Sequence, residues 1–75
     1  MDQRPPTLTP RQTEVLNLIA LGDCHKQIAA KLGISIKSVE KFRGQIYRKA
    51  KINNTADAVH LALFLGIIQP KTWPL

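Results

Sequence analysis

Six cations fall between positions 37 and 51 of this chain: Lys37, Lys41, Arg43, Arg48, Lys49 and Lys51. Glu40 is the one acid among them, so the segment carries +5 of the chain's formal +6. Clustered cations gain free energy by displacing counterions condensed on phosphates, so a polyanion is the first partner to consider. A solvated helix face is the alternative reading of the same residues. Other chemistry is poorly supplied. A structural zinc needs four ligands at tight spacing, and Cys24, His25 and His60 form no such motif. No phosphate-binding glycine loop or catalytic constellation surrounds either histidine, so an enzyme is the weakest reading. No cofactor is implied.

These cations need a scaffold, and 75 residues allow one domain with a thin stability margin. One cysteine permits no internal disulfide, so the core must come from apolar packing. The start is polar and proline-rich rather than a secretory signal, and the apolar run from Ala58 to Ile68 is too short to span a bilayer. A cytoplasmic protein is the expectation.

Punctuation divides the chain into four helices and no strands. Thr9-Pro10-Arg11-Gln12 combines an N-cap, proline at the first helical position and a capping-box glutamine. The first helix is expected over Pro10–Leu21, ended by Gly22. Asp23 or Cys24 caps a second over His25–Leu32, ended by Gly33. Ser35 caps a third over Ile36–Ala50, with Val39, Phe42 and Ile46 as its buried stripe. On the same reading Tyr47 lies at the core edge, its hydroxyl reaching solvent or a phosphate. Asn54 or Thr55 caps a fourth running to Leu65, with Asp57 near its positive end and Gly66 as the stop. Residues 1–7 are expected as a flexible leader, 8–68 as the domain and 69–75 as a tail. The second helix, the turn at Gly33 and the basic third helix have the dimensions of a helix-turn-helix. Such a motif lays its second helix in the major groove of duplex DNA.

The chain resembles the DNA-binding domain of LuxR/FixJ-type (GerE-like) regulators. The resemblance rests on Leu8-Thr9-Pro10-Arg11 with Glu14-Val15-Leu16, and on Lys26-Gln27-Ile28-Ala29 with Leu32-Gly33-Ile34-Ser35. It continues through Lys37-Ser38-Val39-Glu40, Arg43, Ile46-Tyr47-Arg48-Lys49, and Ala62-Leu63 with Leu65-Gly66-Ile67-Ile68. It implies an all-α, four-helix fold and a sequence-specific transcriptional regulator of double-stranded DNA. Carried over by position, Lys37, Ser38, Glu40, Lys41 and Gly44 face bases, while Lys26, Ser35, Arg43, Arg48 and Lys49 suit phosphates. Lys41 can donate to guanine and Glu40 can accept from cytosine. Three residues depart from the family pattern: Phe42 where histidine is usual, Cys24 where a capping serine or threonine is usual, and Ala50 in place of a core leucine.

The fourth helix is apolar nearly all round, more than one buried stripe requires. A homodimer through Ala56, Val59, His60, Leu63 and Phe64 is the expected use, with a return of the Trp73 tail as the alternative cover. Two functional readings follow. The chain is a dimeric regulator that contacts or blocks RNA polymerase, or it is an interaction module that pairs with a full-length LuxR-type regulator.

Overall fold

Thr9 starts the first helix by the reciprocal arrangement its sequence predicts. In the computed structural model, which describes residues 7–67, Gln12 N donates to Thr9 Oγ1 at 3.2 Å and Thr9 N donates to Gln12 Oε1 at 3.0 Å. Two of the orphan donors of the helix end are thereby satisfied. The helix α1 spans Pro10–Ala20, with Leu21 as its C-cap, so it ends one residue before the expected Leu21. Gly22 follows at φ +96°, a left-handed backbone that glycine adopts without steric cost.

Cys24 takes the N-cap position of α2 (His25–Leu32), and its N–H donates to Gln27 Oε1 at 2.8 Å. Gly33 closes α2 at φ +67°, and Ile34 N returns to Ala29 O at 3.0 Å. Two residues later Ser35 opens α3 (Ile36–Ala50), its Oγ accepting from Ser38 N at 3.0 Å. At the far end Lys51 adopts φ +57°, a conformation that costs an L-residue about 1–2 kcal/mol. Asn54 then caps α4 (Thr55–Phe64) by accepting from Asp57 N at 2.8 Å. This helix stops one residue short of the expected Leu65, which serves as its C-cap. The described residues hold four helices and no strand.

α1 is the central element and packs against each of the other three, while α2 also packs on α3. Val15 and Leu16 of α1, Ile28 of α2, Val39 and Ile46 of α3, and Ala58 and Ala62 of α4 are fully buried. Each large aliphatic side chain among them contributes about 1.5–3 kcal/mol of transfer free energy.

The buried stripe of α3 differs from the expected one. Phe42 is half-buried and only packs against the core, whereas Tyr47 is 9% exposed and lies within it. The reason is that α3 rests on both α1 and α2. Its buried face is therefore turned toward the side that holds positions 43 and 47. The Tyr47 hydroxyl, expected to reach solvent or a phosphate, is buried and without a hydrogen-bond partner in the free protein. Ile68, Trp73, and the leader and tail outside residues 7–67 lie beyond the described residues, as does the proposed return of the tail over α4.

Candidate nucleic-acid interface

At about 3.6 residues per turn, Lys37, Lys41, Gly44 and Arg48 fall on one line along α3. That line points directly away from the buried Val39 and Ile46. Lys37, Lys41 and Arg48 are exposed. Two ion pairs occur among the described residues, Arg11 with Glu14 at 3.6 Å and Lys31 with Asp23 at 2.6 Å. Neither engages α3, so among the described residues no acid pairs with Lys37, Lys41 or Arg48, and Glu40 and Arg43 form no ion pair.

Gly44 lies at the middle of the ridge. A Cβ placed there would sit 3.5 Å from Arg48 Nη1, an ordinary contact. The Arg48 side chain therefore lies back along the ridge beside Gly44. The missing side chain lets another molecule approach this turn of the helix more closely than a longer residue would.

The two flanks of α3 differ. On the flank toward the start of α1, Gln12 is 5% exposed and ties α1 and its N-cap to α3. Its Nε2 donates to Gln45 Oε1 at 3.0 Å, and its Oε1 accepts from Lys49 Nζ at 3.0 Å. Lys49 Nζ also donates to the Thr7 carbonyl at 3.0 Å. In the free protein Lys49, expected at a phosphate, joins the last turn of α3 to the entry to α1. Ser35 and Ser38 are similarly occupied. Ser35 Oγ donates to Ser38 Oγ at 2.9 Å while capping α3. Gln12 and Gln45 were not among the expected site residues. A capping-box glutamine is locally legible, but its second partner lies 33 residues away.

On the opposite flank, Ile36, Arg43 and Tyr47 border an open cleft of about 690 Å³ whose other wall is the first turn of α2. The Arg43 guanidinium carbon stands 4.5 Å from the Tyr47 ring centroid, within range of a cation–π contact. Lys26, exposed at the second position of α2, borders the same cleft. The structure thus gathers Lys26 and Arg43 on one flank and Lys37, Lys41, Gly44 and Arg48 on the ridge, with Glu40 between them. Lys49 stands apart on the far flank.

On α4, Ala58 and Ala62 face α1, and Val59 and Leu63 are half-buried against the core. Ala56 and His60 are exposed, and Phe64 is 71% exposed. The five residues expected at a subunit contact therefore divide into two that serve the core in part and three that face outward. No helix of the described residues is long and apolar enough to cross a membrane. Among those residues no group of three or more His, Cys, Asp or Glu is placed to hold a metal ion.

The family model described as bacterial regulatory proteins, luxR family, matches residues 6–62. The probable transcriptional regulator ycf29 of Cyanophora paradoxa is 49% identical over 60 residues, covering 80% of this chain and 29% of that protein. Nodulation protein W of Bradyrhizobium diazoefficiens is 38% identical over 61 residues, covering 81% of this chain and 27% of its own length. This chain thus spans less than a third of each. Among solved structures, the VqmA dimer of Vibrio cholerae, determined without its target DNA, superposes with a TM-score of 0.74. It is 37% identical to this chain, with 88% of this chain and 31% of VqmA covered.

Proposed function

Because this chain belongs to the LuxR family of bacterial regulatory proteins and carries that family's helix-turn-helix DNA-binding domain, we propose that it regulates transcription by sequence-specific binding of duplex DNA. In this reading α3 occupies the major groove and two copies pair through α4. The observation that carries it is the basic ridge of α3, which has no acidic partner among the described residues and stands opposite the core on a helix whose start is fixed by Ser35. Lys37, Lys41 and Gly44 meet base edges from the ridge, with Glu40 beside them. Lys26, Arg43 and Arg48 meet phosphates on either side. Lys26 is helped by the positive end of α2. The internal bonds of Ser35, Ser38 and Lys49 make these three residues supports for the reading surface in this proposal.

Pairing through Ala56, His60 and Phe64, with Val59 and Leu63 at the margin, gives the exposed apolar side of α4 a use. It also places two α3 helices on one duplex. A two-fold protein selects a two-fold site, with half-sites about one helical turn apart or a multiple of it. A relative bound to its DNA partner, the VqmA–ligand–DNA complex, has a domain of this shape.

Selection of bound sequences from a randomised duplex pool tests the reading. Enrichment of one pseudo-palindromic site is the expected result, and equal weak retention of every sequence overturns it. Lys41→Ala should relax preference at one base pair, at a cost of about 1–3 kcal/mol on the preferred site. Arg48→Ala should weaken all sites alike and lower the salt dependence by about one phosphate contact.

A further inference from the structure

Tyr47 is nine-tenths buried, yet its hydroxyl has no hydrogen-bond partner. A phenylalanine would fill the same space without enclosing an unsatisfied hydroxyl, so the oxygen has no part in holding the fold together. The residue borders the cleft between α3 and the start of α2. The balance of charge around that cleft favours an anion. Lys26 and Arg43 line it. His25 and Lys26 also begin α2, where backbone N–H groups have no helical acceptor. The one acid on the rim, Asp23, is already engaged by Lys31 Nζ at 2.6 Å.

We propose that this cleft binds a phosphate group, with the Tyr47 hydroxyl donating to one of its oxygens and the first turn of α2 and Arg43 serving the others. Arg43 lies over the Tyr47 ring in the free protein. In the complex its half-exposed side chain turns from the ring toward the anion, and the Tyr47 hydroxyl, buried in the free protein, becomes accessible and completes the set of donors. The cleft is open to solvent and far larger than one tetrahedral ion. Such a shape suits a strand whose backbone runs past it better than an enclosed free ion. A phosphodiester of duplex DNA is therefore the favoured source, and to that extent the inference rests on the DNA-binding reading above. It adds a donor that the charge pattern does not reveal, because Tyr47 carries none.

Two measurements on the chain and its Tyr47→Phe variant test the site and separate the sources. In the first, backbone amide shifts of His25, Lys26 and Tyr47 are followed by NMR during titration with inorganic phosphate, against chloride at equal ionic strength. In the second, affinity is measured for duplexes in which single phosphates are replaced by methylphosphonates. The expected results are saturable phosphate shifts that weaken about tenfold in Tyr47→Phe, and one methylphosphonate position that weakens the parent about tenfold but leaves the variant unchanged. A phosphate response without any such methylphosphonate position supports the site and assigns it to free phosphate. Failure of all duplex binding removes the DNA-binding reading but leaves the phosphate titration to decide this one. If neither measurement distinguishes Tyr47→Phe from the parent, the site does not exist, whether or not the chain binds DNA.

Discussion

The two flanks of α3 hold buried polar groups in opposite conditions. Toward the start of α1, the Gln12 amide is bonded by Thr9, Gln45 and Lys49. Toward α2, the Tyr47 hydroxyl has no partner among the described residues. Both residues are almost wholly enclosed. A satisfied network specifies how elements fit together, whereas an unsatisfied group costs free energy that a bound ligand can offset. The first flank is architecture, and the second is the one to which the proposed phosphate site belongs.

The severest way to break the contrast is to remove the support common to both flanks. Ile46 is fully buried and lies between them. Ile46→Ala should cost about 2–5 kcal/mol, enough to bring a domain of this size near its unfolding threshold. Urea unfolding followed by circular dichroism measures it. Gln12→Ala tests the satisfied flank alone. It takes away half of the capping box and strands Gln45 and Lys49, so a loss of about 2 kcal/mol is expected. For a domain of this length that lowers Tm by about 8–16 °C. Lys49→Met removes one arm of the same network while keeping the aliphatic stem, and about 0.5–1 kcal/mol should be lost. If DNA affinity fell much further than that loss of stability explains, Lys49 would be a contact to DNA rather than a brace. Tyr47→Phe sharpens the comparison by its sign. Stability should stay constant or rise by up to about 1 kcal/mol, read as an equal or higher Tm. A clear drop would mean that the hydroxyl has a partner within the fold.

Local signals carried most of the fold. The capping box at Thr9 and Gln12, the serine cap before Ile36 and the glycine at position 33 each act within four residues. The helices they delimit match their expected limits to within one residue at the C-terminal ends. What the sequence concealed was non-local. Phe42 and Tyr47 are both aromatic and lie on neighbouring sides of one helix. Only the joint packing of α3 on α1 and α2 decides that Tyr47 is the deeper of the two. Lys49 belongs to an obvious run of cations, yet its acceptors come from Thr7 and Gln12, 42 and 37 residues away. Charge clustering marks a basic helix but does not say which cations are already employed. The ridge of Lys37, Lys41, Gly44 and Arg48 was legible because its geometry depends on helical periodicity alone. The cleft was not, because it is a space between elements.

Gln12 also has a consequence for motion. Isolated helix ends fray independently, each opening as its own few terminal bonds break. Here the first turn of α1 and the last turn of α3 share one amide, since Gln12 closes the cap at Thr9 and receives Lys49. Opening either end releases bonds that belong to the other. The two ends should therefore open as one cooperative unit, with amide protons near Thr13 and Ile52 exchanging at matched free energies. The C-terminal end of α3 is then as steady as the point at which the chain enters the domain, although 42 residues separate Lys49 from Thr7.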